Sequence, residues 1–167
     1  MDPVSNDTPR VTLRAFREED AAPLHLIFAD PRAMRYWSTP PHASIAETLA
    51  YVRATIAATE AGRGDDQVVI FEGRVIGKAG LWDNHEIGFI FSSAFWGLGL
   101  AREALGAVID RARRRGAARI QAEADPRNAP CLRLLSRMGF TEIGRAKATM
   151  KVGDAWVDSV YLELTLA

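Results

Sequence analysis

The stretch Glu86 to Leu105, EIGFIFSSAFWGLGLAREAL, constrains the fold of this chain more than any other. It predicts a strand, a turn and a helix whose first residues include Gly97 and Gly99 on either side of a leucine. Because glycine has no side chain, several backbone N–H groups at this helix start can converge on one point. Such a point attracts phosphate, whereas two glycines alone can also do no more than shape a tight turn.

Two common phosphate-binding motifs do not account for these glycines. A P-loop requires Gly-Lys-Ser or Gly-Lys-Thr, which does not occur here, and the dinucleotide-binding fingerprint requires a third glycine where this chain has Arg102. The ligand of this turn must therefore be inferred from the order of the elements around it.

Hydrophobic periodicity predicts helices and strands along the rest of the chain. Strands are expected over 11–16, 67–72, 75–82, 85–91, 118–124, 148–152 and 156–166, and helices over 18–37, 40–62, 101–115 and 128–140. Ser44 and Glu47 have the spacing of a capping box, and Gly62 is a helix stop. Gly73 and Arg74 separate two strands as in a tight hairpin. The order β-α-α-β-β-β-α-β-α-β-β predicts an α/β fold with a mixed sheet and helices on its faces.

Length and composition indicate a single domain. A chain of 167 residues with 48% apolar residues can bury one substantial core, so we expect a flexible tail over 1–9 and one domain over 10–167. Lysine plus arginine equals aspartate plus glutamate, 21 each, which argues against nucleic-acid binding. The basic run Arg111 to Gly116 ends a helix, where cations complement the helix dipole.

Cysteine usage and hydropathy bear on the compartment. The single Cys131 excludes an intramolecular disulfide, and the opening MDPVSNDTPR lacks the basic and apolar regions of a signal peptide. No window of about 18 residues is apolar enough to span a bilayer. We therefore expect a cytoplasmic protein with no membrane partner, as a monomer or homodimer.

Several motifs in sequence order resemble one known family. The second half of the chain contains EIGFIF, followed after four residues by WGLGLAREA, and then by a strand and DPRNAPCLRLLSRMGF. With these motifs it closely resembles the acetyl-CoA-binding half of the GNAT family of N-acetyltransferases. LRAF, RYWSTPP and a late G-x-x-W-x-D-x-x-x-L look most like its Rim-type branch, named for ribosomal-protein N-terminal acetyltransferases. The resemblance covers nearly the whole chain after residue 10. It implies a central, mostly antiparallel sheet with a V-shaped slot for acetyl-CoA, and no metal.

The resemblance also implies residues that bind the co-substrate. Backbone amides from Gly97 to Arg102 would hold the pyrophosphate of coenzyme A, and the strand Phe89 to Phe91 would pair with the pantetheine arm. The full set is Phe89, Ile90, Phe91, Trp96, Gly97, Leu98, Gly99, Leu100, Ala101, Arg102 and Asn128. Trp96 and Leu98 depart from the family, which often has a basic or amide side chain at these positions. Asn128 is also a plausible N-cap of the helix that follows it.

The resemblance further implies candidate catalytic residues. Glu86 would accept the proton that an attacking amine must lose, with Asp83, His85 and Asp158 as alternatives, although a glutamate at a strand start is often only solvated. Cys131 would lie near the thioester sulfur and protonate the leaving thiolate, or else pack in the core.

We expect direct transfer to an amine in a ternary complex, because no histidine is placed by the sequence to activate Cys131 as a nucleophile. Trp37, Trp82 and Asp158 are candidates for binding the acceptor, either a protein N-terminus or a small-molecule amine. A non-catalytic acyl-CoA-binding module on the same fold is the alternative function.

Overall fold

The computed structural model describes residues 9–166. The expected tail therefore lies, apart from Pro9, outside the described residues. The strands are β1 Val11–Ala15, β2 Gln67–Phe71, β3 Arg74–Trp82, β4 Glu86–Phe91, β5 Arg119–Ala124, β6 Thr141–Val152 and β7 Ala155–Thr165. The α-helices are α1 Ala21–Phe28, α2 Ile45–Glu60, α3 Leu100–Arg114 and α4 Ala129–Arg137. This is the predicted order of elements. Within residues 9–166, no helix is long and apolar enough to cross a membrane.

The strands form one sheet in the order β1-β2-β3-β4-β5-β7-β6. Every neighbouring pair is antiparallel except β4 and β5, which are parallel. These two strands pair at one position only, Glu86 with Gln121. Beyond it they diverge, which confirms the predicted V-shaped slot. Among residues 9–166, the β5 side of β4 from Ile87 to Phe91 therefore has no strand partner.

Each face of the sheet has its own apolar core. Side chains of α3 and α4 pack on one face, around Leu105, Ile120 and Leu135. Side chains of α1 and α2 pack on the other, around Phe28 and Val52. The second core contains no residue from β5, β6 or β7, so α1 and α2 cover only the β1 to β4 half of their face. The uncovered half leaves room for a ligand beside the slot.

Strand β4 contributes to both faces because side chains alternate along a strand. Ile87, Phe89 and Phe91 belong to the α3 and α4 side, whereas Ile90 packs under α1 and α2. By the same alternation, Glu86 shares its face with Ile90. Glu86, the candidate base, thus lies on the face that α1 and α2 cover only in part.

Two local predictions were wrong in detail. Ser44 is the N-cap of α2, but its side chain makes no capping hydrogen bond, and Glu47 accepts instead from the backbone N–H of Ala43 at 3.1 Å. The turn between β2 and β3 is formed by Glu72 and Gly73, with φ of 48° and 75°, one residue earlier than expected. Consecutive positive φ values suit a type I′ turn, which matches the twist of a hairpin.

Two elements also differ in length. The predicted helix over 18–37 is a 3₁₀ turn, Glu18–Asp20, followed by α1, which ends at Phe28 shortly before Pro31, a residue that cannot continue a helix. Strand β6 begins at Thr141, seven residues before the predicted start. Its pairing with β7 shifts between Ala146 and Met150, where Ala148 has φ of 50°, and this irregularity hides the alternation in the sequence.

Gly80 offers a test of how tightly the 64–66 segment packs on the sheet. A Cβ at Gly80 would lie 2.2 Å from the Asp65 carbonyl oxygen and 2.5 Å from the Asp66 Cα. Because backbone atoms cannot move aside, Gly80→Ala should lower the free energy of unfolding by about 3 kcal/mol or more in urea titrations. Gly106→Ala in α3 is the control, since a Cβ there meets nothing within 4 Å and should raise stability. Equal stability of the two variants would contradict this packing.

Candidate active site

The turn between β4 and α3 has the backbone that its glycines predict. Gly97 and Gly99 have φ of 77° and 78°, in the left-handed region that favours glycine. Helix α3 starts at Leu100, and its N-cap Gly99 supplies no side chain to the first N–H groups. The first hydrogen bond of the helix is donated by the backbone N–H of Glu103 to the Gly99 carbonyl, at 3.3 Å. The preceding amides are thus available for an anion.

Side chains from distant parts of the sequence hold this turn in place. The indole Nε1 of Trp96 donates to the Phe91 carbonyl at 3.0 Å, and Arg10 donates to the Leu98 carbonyl at 3.0 Å. Arg10 also forms an ion pair of 2.9 Å with Glu103. The Trp96 and Leu98 side chains are mostly exposed. Trp96 therefore shapes the turn with its indole, a role that its departure from the family pattern did not suggest.

The other residues expected at the co-substrate surround this turn. Leu100 is buried in the core under α3, Ala101 packs against it, and Arg102 is exposed on the first turn. The rings of Phe89 and Phe91 lie 6.2 Å apart on the α3 side of β4. The turn therefore joins the end of β4, whose β5 side is unpaired, to the free amides at the start of α3.

Asn128 and Cys131 lie at the start of α4. The Asn128 side chain accepts a hydrogen bond from the backbone N–H of Cys131 at 3.3 Å, so it is the N-cap of α4. Cys131 packs against the core under α3, and burial raises the pKa of its thiol to about 11. The thiol is consequently protonated at neutral pH and is a poor nucleophile.

Glu86 lies at the vertex of the slot, where β4 meets β5. Burial raises the pKa of its carboxyl, the charge of Glu123 raises it further, and His85 acts in the opposite direction. Glu123 follows the Glu86 partner Gln121 by two residues in β5, so the two carboxylates share a face. A hydrogen bond from the Ser159 hydroxyl fixes Glu123. Glu123 was not among the residues predicted from the sequence, although the alternation in ARIQAEA places it on the polar face of β5.

The three candidates for acceptor binding lie in different places. Trp82 pairs directly with Glu86 and is 59% exposed, so it borders the vertex. Trp37 is partly buried in the core under α1, with its ring 5.9 Å from that of Phe28. Asp158 precedes Ser159 in β7 and so points to the opposite face from Glu123, where it accepts from the Ala148 N–H at 2.9 Å. Of the three, only Trp82 is brought next to Glu86 by strand pairing.

A buried ion pair that the sequence did not predict lies near these residues. Lys78 in β3 is 4% exposed, and its Nζ lies 3.0 Å from Asp66 and 5.3 Å from the centre of the Trp37 ring. Burial alone would lower the pKa of Lys78, but the nearby Tyr51 and Asp66 raise it overall. A Cβ at Gly88 would lie 3.5 Å from this Nζ. The Gly88 position thus leaves space for the ammonium group on the face that carries Glu86.

Comparison with known proteins agrees with this arrangement. A family model described as the acetyltransferase (GNAT) domain matches residues 10–141. The chain is 27% identical to an uncharacterized N-acetyltransferase, p20, of Bacillus licheniformis, over 93% of this chain and 92% of the relative.

Solved structures share the fold. A spermidine N-acetyltransferase from Vibrio cholerae, in complex with CoA and spermine, superposes with a TM-score of 0.82 at 19% identity, over 95% of this chain and 97% of that one. RimL, a ribosomal L7/L12 alpha-N-protein acetyltransferase in complex with coenzyme A, superposes with a TM-score of 0.84 at 21% identity, over 98% of this chain and 96% of that one. The family match covers most of the chain, and acetyl-CoA is the co-substrate of such enzymes. The protein therefore belongs to the GNAT family of acetyl-CoA-dependent acetyltransferases.

Proposed function

We propose that this protein transfers the acetyl group of acetyl-CoA to a primary amine by direct attack within a ternary complex. The observation that carries the proposal is the position of Glu86, a half-buried carboxylate at the point where the co-substrate slot meets the uncovered face of the sheet. A carboxylate there can take a proton from an amine that attacks a thioester held in the slot.

The co-substrate would bind along the groove from α3 to the vertex. The free amides from Gly97 to Arg102 suit the pyrophosphate, since the N-terminus of a helix attracts negative charge. The pantetheine arm would pair with the unpartnered edge of β4, as an added strand does. An arm that runs from the α3 amides along β4 towards the vertex brings its thioester close to Glu86, because β4 and β5 meet there.

The acceptor amine would approach from the other face. An acceptor ammonium has a pKa of about 8 at a protein N-terminus and about 10 in an alkylamine, so at pH 7 it must lose a proton before it attacks. The raised pKa of Glu86 makes it a stronger base than an ordinary glutamate, and the negative charge of Glu123 favours the arrival of a cation. The exposed Trp82 and a cavity of about 360 Å³ under α2, whose walls include Tyr51 and Ala58, give this side room for the rest of the acceptor.

Cys131 has a limited part in this scheme. A thiol with a pKa of about 11 is a weaker acid than an ordinary cysteine thiol, whose pKa is about 8.5, so Cys131 is poorly suited to protonate the leaving thiolate. Cys131 can still donate a hydrogen bond to the departing sulfur. The same pKa disfavours an acetyl-cysteine intermediate and supports direct transfer.

The acceptor is a primary amine of a protein N-terminus or of a small molecule. The test is release of free thiol from acetyl-CoA, followed across a panel of N-terminal peptides, polyamines and amino acids, with acetyl-CoA alone as the control. We expect at least one amine to raise thiol release well above the hydrolysis background. Acetyl-CoA binding with no amine-dependent release from any acceptor would favour the non-catalytic binding module instead.

The pyrophosphate site is tested by Gly99→Glu. A glutamate at this N-cap places a negative charge and a side chain where the phosphate would bind, so affinity for acetyl-CoA should fall by about 100-fold or more in calorimetry. Gly116→Glu is the matched control, because its φ of 81° imposes similar backbone strain beyond the opposite end of α3. Similar melting temperatures with affinity lost only in Gly99→Glu support the site. Wild-type affinity in a folded Gly99→Glu variant would contradict it.

The base is tested by Glu86→Gln. Turnover should fall by about 10² to 10⁴-fold, with a smaller change in the Michaelis constant for acetyl-CoA. The fall in wild-type turnover at low pH should be absent from Glu86→Gln. The control Glu60→Gln, at the end of α2, should keep this fall. Unchanged turnover and pH profile in Glu86→Gln would exclude Glu86 as the base.

The same variant, although less active, should be more stable than the wild type at neutral pH. Folding raises the pKa of Glu86, so the wild type loses stability as pH rises from the ordinary glutamate pKa through the raised value. Glu86→Gln removes this penalty, and its free energy of unfolding should exceed that of the wild type at pH 7 but not at pH 3. A simple packing role for Glu86 predicts no such dependence on pH.

A further inference from the structure

The cavity of about 360 Å³ under α2 lies beside a row of three residues that crosses the sheet and ends at Glu86. Trp82, the last residue of β3, pairs with Glu86 on one side and forms an isolated bridge with Gly64 on the other. Because neighbouring strands lie about 4.8 Å apart, Gly64 and Glu86 are separated by about 10 Å. Gly64 and Trp82 both line the cavity, so it begins one strand away from Glu86.

The charged residues of this cavity differ in whether they have a partner. Among the described residues that line it, Asp66 is the one acidic residue, and the Lys78 Nζ neutralises its carboxylate at 3.0 Å. Arg63 is the one basic residue among them, and it is exposed and forms no ion pair with any carboxylate of residues 9–166. Because Arg63 directly precedes Gly64, this free positive charge lies at the far end of the row.

The walls between the two ends of the row are apolar. Trp82 lies on the same face of the sheet as Glu86, because directly paired residues share a face, and it is 59% exposed. Ala54 and Ala58 of α2 line the same cavity. Their small side chains leave space beside the indole ring. An apolar chain in this space would be shielded from water, which favours its binding.

We propose that the acceptor carries a carboxylate in addition to its reacting amine, with an apolar spacer between the two groups. The amine lies at Glu86, the spacer along Trp82 and the carboxylate at Arg63, whose planar guanidinium matches it. The assignment rests on the proposed function, since it takes Glu86 as the base. Glutamate and arginine side chains that reach towards each other shorten the span of about 10 Å, so about five methylene groups suffice as the spacer. A second ammonium in place of the carboxylate would be repelled by Arg63.

The test compares three primary amines of similar length: 6-aminohexanoate, hexylamine and 1,6-diaminohexane. The wild type should acetylate 6-aminohexanoate with a kcat/KM about tenfold above that of hexylamine, as one charge-assisted contact predicts, and the diamine least well. Arg63→Ala should remove the advantage of 6-aminohexanoate, and Arg63→Glu should reverse its order with the diamine. Arg74→Ala is the control, because Arg74 is exposed at the other end of β3, about 26 Å from Trp82, and should keep the wild-type preference.

A second pair of variants tests the cavity without a change of charge. Ala54 and Ala57 are both exposed alanines of α2, but only Ala54 is among the residues that line the cavity. Because leucine also favours helix, both Ala54→Leu and Ala57→Leu should stay folded. Ala54→Leu should raise the KM for 6-aminohexanoate at least about fivefold by filling the cavity, with a smaller change in the KM for acetyl-CoA, whereas Ala57→Leu should not.

A dipeptide, alanyl-leucine, and its C-terminal amide separate the two sources of such an acceptor. A preference for the dipeptide over its amide that Arg63→Ala removes would assign the cavity to peptides, whereas a preference seen only with 6-aminohexanoate would assign it to free amino acids.

No preference for the carboxylate-bearing member of either pair, or a preference undiminished in Arg63→Ala, would overturn the inference. A KM for 6-aminohexanoate unchanged in Ala54→Leu would contradict the placement of the spacer. Failure of the proposed function looks different, because then no amine, with or without a carboxylate, would raise thiol release above the background, and this inference would fall with it.

Discussion

The single pairing between β4 and β5 is the constraint on which the rest of the structure depends. These are the two parallel neighbours in the sheet, and parallel strands need a crossover, here supplied by α3. The crossover helix therefore begins at the wide end of the slot, beyond the carboxyl end of β4. Backbone groups left unpaired along the slot must find partners in water or in a ligand, since an unsatisfied buried group is costly. One topological choice thus creates both the strand-like groove and the amides at its end.

On the proposed function, the same constraint would separate the two substrates. The face under α3 and α4 carries the glycine turn and Cys131, which would suit an anion with a thioester. The opposite face carries Glu86 and Glu123, and α1 and α2 do not extend over β5 to β7, which would suit a cationic amine. The two reactants would then meet where the strands separate, next to Glu86.

The sequence predicted the features that depend on local backbone rules. The order of elements, the turn at Gly97 and Gly99 before a helix, and the placement of Glu86 at a strand start all follow from short-range patterns. The Arg10 pair with Glu103 and the Lys78 pair with Asp66 could not be predicted in this way, because each joins residues from different elements of the chain. The capping box failed for a related reason: Ser44 and Glu47 have the right spacing, but spacing does not fix where each side chain finds its hydrogen bond.

Several elements of the site oppose folding, and this links binding to stability. Left-handed glycines lose much conformational freedom on folding, and two neighbouring carboxylates repel each other. Other contacts hold these elements in place, namely the Arg10 pair with Glu103, the Trp96 hydrogen bond to Phe91, and the Ser159 hydrogen bond to Glu123. An anion on the α3 amides and a strand-like arm along β4 would satisfy the groups that folding leaves unpaired. Ligand binding should therefore stabilise the β4 to α3 region more than strand β6 at the far edge of the sheet.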